Sequence, residues 1–100
     1  MNPEIAARLE RLGIQLMAEA QGYSVFARDN CLALAHRAEE GFRSVGSSGM
    51  LTENGLAYLV WRGEQALLVA RNSQAPARPE QVEAIRTFST DLKSALGLLL

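Results

Sequence analysis

Two neighbouring segments, residues 56–62 and 65–71, are apolar at both of their alternating sets of positions, and this pattern constrains the fold most. Gly63 and Glu64 between them suit a two-residue turn, so the segments are predicted to form a hairpin. An antiparallel sheet with one face in water alternates apolar with polar residues. We therefore expect both faces of this hairpin to be covered. The implied cross-strand pairs are Val60 with Leu67 and Tyr58 with Val69.

A second hairpin is predicted from Tyr23–Arg28 and Cys31–Arg37. The two residues between these runs, Asp29 and Asn30, tolerate a positive φ and favour a tight turn. The resulting register places large aliphatic residues on one face and mostly small residues on the other. The implied pairs are Arg28–Cys31, Phe26–Ala33 and Ser24–Ala35 on one face, and Ala27–Leu32, Val25–Leu34 and Tyr23–His36 on the other.

Apolar residues at helical spacing predict a helix at each end of the chain. Asn2 and Pro3 suit a helix start, and the apolar stripe after them favours one helix over residues 3–20. Gly13 leaves an alternative, in which a short helix ends there and residues 14–20 continue as a strand. Pro79 opens the second helix, whose apolar stripe is Val82, Ile85, Phe88, Leu92, Leu96 and Leu99.

The middle of the chain, residues 38–55, is predicted to be irregular. Residues 42–45 suit a short strand, residues 46–49 read Gly-Ser-Ser-Gly and predict a flexible loop, and Asn54 with Gly55 favours a hairpin turn. Residues 50–53 are then extended and paired with the strand after that turn. Residues 72–78 are interpreted as a linker.

These elements predict one α+β domain spanning residues 1–100, with an antiparallel meander sheet of four to five strands flanked by the N- and C-terminal helices. Both helices are expected on one face, which gives two layers. The order of elements loosely resembles the roadblock and profilin-like folds, and residues 55–96 look like the last hairpin and closing helix of GAF-type sensor domains. The first resemblance implies a five-stranded antiparallel sheet with flanking helices.

Composition narrows the possible partners and the compartment. The formal net charge is −1, from 10 basic and 11 acidic residues, so nucleic acid is an unlikely partner. The single cysteine, Cys31, allows no internal disulfide, and the acidic N-terminus lacks the pattern of a signal peptide. The longest apolar run, residues 96–100, is too short to span a membrane. We therefore expect a cytoplasmic protein with no membrane partner.

The sequence offers no convincing catalytic or metal-binding set. Cys31 and His36 lie five positions apart on one strand, so their side chains should point to opposite faces. Residues 46–49 lack the lysine and the strand–loop–helix context of a phosphate-binding loop. Glu39 and Glu40 are interpreted as solvated turn residues. We therefore expect no enzymatic activity, no cofactor and no metal.

The leading hypothesis is a protein–protein interaction module that forms a homodimer through an apolar sheet face. Phe26 and Trp61 are the expected anchors, and Trp61→Ala should then weaken association by about 2 kcal/mol. Alternatively, residues 38–50 cover that face within one chain. Two other functions stay open: a small inhibitor or adaptor that docks on a larger protein, and a ligand sensor with a pocket touched by Tyr23, His36 or Tyr58. The predicted interface residues are Phe26, Ala33, Ala35, Leu59, Trp61 and Leu68.

Overall fold

The computed structural model describes residues 1–98, so a predicted contribution of Leu99 and Leu100 to the second helix and to an apolar C-terminal tail lies outside the described residues. Two helices bracket a run of strands. In chain order the elements are α1 (Pro3–Arg11), β1 (Gln15–Ala20), β2 (Tyr23–Arg28), β3 (Cys31–Arg37), β4 (Phe42–Thr52), β5 (Gly55–Arg62), β6 (Gln65–Val69), β7 (Gln74–Pro76) and α2 (Pro79–Ala95).

The strands form a single antiparallel sheet in which each pairs with its neighbours in sequence, in the order β1 to β7. This confirms the predicted α+β class and the meander. The sheet has seven strands, more than the four to five predicted and more than the resemblance implied. The additional strands come from segments that were predicted to be helix (β1) and linker (β7).

The prediction of one helix over residues 3–20 is wrong, and the alternative at Gly13 describes the structure. Asn2 caps α1 by accepting a hydrogen bond from the Glu4 amide at 2.7 Å. The helix ends at Arg11, and Gly13 has φ +70°, a conformation that interrupts a right-handed helix. The chain then reverses into β1. Pairing with β2 outweighs the helical spacing of the apolar residues beyond Gly13.

Both predicted hairpins are confirmed with their registers. Arg28 pairs with Cys31 and Phe26 with Ala33 across β2 and β3. Asp29, in the turn between them, has φ +54°. The pairing of β5 with β6 likewise places Tyr58 opposite Val69 and Val60 opposite Leu67.

The prediction of a flexible loop at residues 46–49 is wrong, because these residues lie inside the 11-residue strand β4. An irregularity in the pairing with β3, between Ala33 and Ala35, absorbs one extra residue of β4. The pairing of β4 with β5 covers Gly49 to Thr52. Small residues suit this segment because other backbone approaches it closely: a Cβ on Gly49 would lie 2.5 Å from the Ala57 carbonyl oxygen.

Both helices pack on one face of the sheet, as predicted, and form one core with it. The core combines residues of α1 and α2 with the inward-facing residues of β2, β3, β5 and β6. Arg28 ties these layers together: its Nη1 donates to the Leu12 carbonyl oxygen at 3.0 Å and to Asp91 Oδ2 at 2.9 Å. Its guanidinium carbon lies 5.7 Å from the Phe88 ring centroid. Within residues 1–98, no helix is long and apolar enough to cross a membrane.

Candidate interaction surface

The two faces of the sheet differ in what covers them. The covered face packs against α1 and α2, and side chains such as Phe26 and Ala35 are fully buried there. The opposite face, which we call the open face, has neither helix against it. Cross-strand pairs share a face, so the register assigns to the open face Tyr23, Val25, Ala27, Leu32, Leu34, His36, Ser44, Gly49, Leu51, Leu56, Tyr58, Val60, Arg62, Gln65, Leu67 and Val69.

The six residues predicted to form an interface lie on the covered face. Four are buried within the protomer: Phe26, Ala33, Ala35 and Leu68. Leu59 is half-buried against the same core. Trp61 is 46% exposed at the margin of α2, where the Arg86 guanidinium carbon lies 5.2 Å from its ring centroid. The structure therefore brings five of the six into the core beneath the helices.

The alternative that residues 38–50 cover the second face within one chain does not describe the structure. Residues 38–50, considered as a possible cover, contribute β4 to the sheet itself. Side chains of the open face remain accessible in the single chain: Leu51 is 50% exposed, Val60 40% and Tyr58 39%. These large apolar side chains lie on neighbouring strands.

Tyr58 lies on the open face opposite its cross-strand partner, Gly49. Its ring carbon Cδ1 lies 3.2 Å from the position that a Cβ on Gly49 would occupy, so the ring lies over the glycine. Gly49 is buried although it has no side chain. A tyrosine has two rotatable side-chain bonds, so it loses little conformational freedom when it binds a partner.

A shallow depression of about 150 Å³ lies beside Tyr58 on the open face. Its walls come from four strands, and they include the half-buried residues Val25, Leu34 and Leu56 as well as the exposed Ser47. Apolar walls around an aromatic ring resemble the centre of a protein interface.

Charge is confined to the margins of the open face. Among the described residues that the register of β2 to β6 places there, His36 and Arg62 are the titratable side chains besides the two tyrosines. His36 lies at the end of β3 opposite Tyr23, and Arg62 lies at the end of β5. Apart from His36 with its partner Ser44 and Arg62 with its partner Gln65, the positions that this register assigns to the face are apolar, tyrosine or glycine. A patch of this kind loses little solvation energy of charged groups when it is covered.

The chain as a whole exposes more surface than a compact monomer of its mass. Its accessible area is 6645 Å². Monomers of 10.9 kDa expose about 5,600 Å² by the usual scaling with mass. The excess, about 1,000 Å², is close to the roughly 800 Å² that each partner contributes to a standard protein interface.

The remaining candidate residues do not form a reactive cluster. As predicted, Cys31 and His36 lie on opposite faces, Cys31 among the core residues and His36 on the open face. Burial raises the pKa of the Cys31 thiol, partly offset by the nearby Arg28 charge, while Asp29 raises it further. The thiol is therefore not activated as a nucleophile. Within residues 1–98, no three His, Cys, Asp or Glu side chains gather as metal ligands would.

The three residues expected to line a ligand pocket do not lie where that pocket was predicted. Tyr23, His36 and Tyr58 lie on the open face and do not line a space between the sheet and the helices. A groove of about 610 Å³ does lie between the sheet and the start of α2, with Met50, Ala57 and Gln81 among its lining residues. None of the three expected residues lines it.

Comparison of the chain with protein-family models, with curated proteins and with solved structures gave no match in any of the three.

Proposed function

We propose that this chain is a non-enzymatic protein–protein interaction module that forms a homodimer through the open face. The observation that carries the proposal is a largely apolar sheet face, spanning β2 to β6, that has neither helix against it and exposes Leu51, Tyr58 and Val60. Exposed apolar patches that extend over several elements mark interaction sites. The homodimer is the one predicted from the sequence, but we place its contact on the opposite face of the sheet.

A second copy fits this face because the face carries little charge. A twofold interface brings the same patch of both protomers together, so each residue near the axis meets its own counterpart or a close neighbour. Like charges would oppose one another in such an arrangement. Apolar residues such as Val25, Leu34 and Val60 create no such conflict, and the ring of Tyr58 supplies an aromatic anchor.

The accessible area of the chain is large enough to supply an interface of standard size. The excess of accessible surface, about 1,000 Å² on the mass scaling, meets what each partner of a standard dimer buries. An adaptor that docks on a different protein would use the same face, but it would be monomeric alone. The oligomeric state therefore separates the two functions.

Adjacent residues of β5 provide a matched test of the face. Val60 and Trp61 are exposed to similar extents, 40% and 46%, and point to opposite faces of the sheet. Val60→Arg places two buried guanidinium groups in the proposed interface, whereas Trp61→Arg changes the margin of α2. We expect Val60→Arg to raise the dimer dissociation constant at least about 100-fold, which corresponds to roughly 2.7 kcal/mol. Trp61→Arg should change it less than about threefold.

Sedimentation equilibrium measures both constants, and circular dichroism checks that both variants are folded. A dimer that tolerates Val60→Arg would overturn the proposed face. If Trp61→Arg dissociates the dimer and Val60→Arg does not, the contact first predicted from the sequence would be supported instead. A wild-type chain that is monomeric at every concentration would contradict the homodimer itself.

A further inference from the structure

The two edges of the sheet are not equivalent, and β1 is the one left open to another strand. All six side chains of β1 are exposed, and β1 pairs on one side with β2. The other edge, β7, has three residues and ends at Pro76, which cannot donate a backbone hydrogen bond. Short strands and proline protect an edge against pairing. β1 contains no proline or lysine.

The outer side of β1 presents backbone groups to solvent. Ala20 pairs with Tyr23 across the two-residue turn, so their amide and carbonyl groups face each other. Alternation along the strand then directs the backbone groups of Glu19 outward. The pairing with β2 is irregular between Leu16 and Ala18, which interrupts the edge there and leaves residues 18–20 as the regular part that another strand can extend.

An apolar groove runs beside this edge, between α1 and β1. Its volume is about 430 Å³. Leu9 and Ile14 are buried at its base, and Ala6 and Leu16 are exposed. Glu10 is the one charged side chain among the described residues that line it. Met1 and Gln15 complete the set of lining side chains, so the side chains of the groove are apolar apart from Gln15 and the negatively charged Glu10.

We propose that β1 and this groove bind an extended peptide segment of a partner protein. The segment pairs with the outer edge of β1 through its backbone, as in other strand-addition complexes. One of its apolar side chains occupies the groove between α1 and β1, and a Lys or Arg beside it contacts Glu10. The occupant is extended because a strand edge recognises an extended backbone. It is apolar and basic because the groove is apolar and carries Glu10. This site is separate from the open face.

Selection from random octapeptides displayed on phage provides the probe, with the full chain as bait. We expect enriched sequences in which an apolar residue is next to Lys or Arg. Adding the best synthetic peptide to the ¹⁵N-labelled chain should shift the amide resonances of β1 and α1 and leave those of β5 and β6 in place. Shifts confined to the open face, or no enriched sequence at all, would overturn the proposal.

Two variants test the backbone and charge parts separately. Glu19→Pro removes the outward amide, and proline is tolerated on an edge strand when its missing N–H faces solvent. We expect it to weaken peptide binding at least about tenfold, whereas the control Glu19→Gln, which keeps the amide, should bind normally. Glu10→Lys should shift the selected peptides from basic to acidic flanking residues, and this readout remains if Glu19→Pro fails to fold. Unchanged binding by folded Glu19→Pro, or unchanged selection with Glu10→Lys, would contradict the site.

Discussion

The two faces of the sheet differ in the size of their side chains and in what covers them. On the covered face, small residues such as Ser24, Ala33 and Ala35 allow α1 and α2 to approach closely, and a few large side chains fill the remaining space. On the open face, larger residues such as Val25 and Leu34 stand opposite each other with no helix above them. Helices therefore cover the face with the smaller side chains, and the larger apolar side chains lie on the face that has no helix against it.

The strongest contrast between the faces is expected in stability. Leu92, on α2 against the covered face, is fully buried, and Leu92→Ala should lower the free energy of unfolding by about 2–5 kcal/mol. Leu51, on the open face, is 50% exposed, and Leu51→Ala should change it by roughly 0.5 kcal/mol or less in the monomer. Urea denaturation of dilute protein measures both values. Equal losses would show that the open face is packed within one chain.

A smaller effect is expected where β4 meets β5. Gly49→Ala places a Cβ 2.5 Å from the Ala57 carbonyl oxygen and 3.2 Å from Tyr58 Cδ1, so backbone and ring must shift. Overpacking of this kind costs about 1–3 kcal/mol. Gly46→Ala, on the same strand, meets the Leu34 carbonyl oxygen at an ordinary 3.6 Å and is the control. Thermal denaturation should show a lower Tm for Gly49→Ala alone, and a reversed order would contradict the close approach.

The buried thiol should give the covered face a pH dependence. Burial raises the pKa of Cys31 above its ordinary value of 9.0, so the native state retains the proton when the unfolded chain has lost it. The stabilising contribution is complete below pH 9 and is lost as the pH rises towards the native pKa. We expect the wild type to lose more stability than Cys31→Ala between pH 8 and about 10.5, measured by urea denaturation. Parallel pH profiles would show that the thiol is not shielded.

The smallest effect is expected at Ser24, whose hydroxyl is buried on the covered face with no hydrogen-bond partner among the described residues. Ser24→Ala removes this unsatisfied group and leaves the small volume that the packing requires. The free energy of unfolding of the Ser24→Ala variant should equal that of the wild type or exceed it by up to about 1 kcal/mol. A clear loss on urea denaturation would show that the hydroxyl has a partner in solution.

The hairpins could be predicted from the sequence because their signals are local. Asp29 and Asn30, or Gly63 and Glu64, fix the turn, and the turn fixes the register of every pair behind it. β1 could not be predicted in this way. The apolar residues after Gly13 also fit a helix, and the pairing that decides between helix and strand is made with β2.

The surface was harder to predict than the fold. Alternation along the strands separates the two faces correctly, but it does not show which face the helices cover. The distinguishing signal is the size of the side chains: Ala33 and Ala35 leave room for a helix, whereas Leu32 and Leu34 do not. Aromatic character alone favours Phe26 as an interface anchor. Phe26 instead fills the space beneath the helices.

The molar mass in solution tests the central claim most directly. Light scattering coupled to gel filtration, over a tenfold range of loading concentration, should give a mass near twice 10.9 kDa. Such a mass is the result expected if a second copy covers the open face. A constant mass of 10.9 kDa over the whole range would contradict the homodimer.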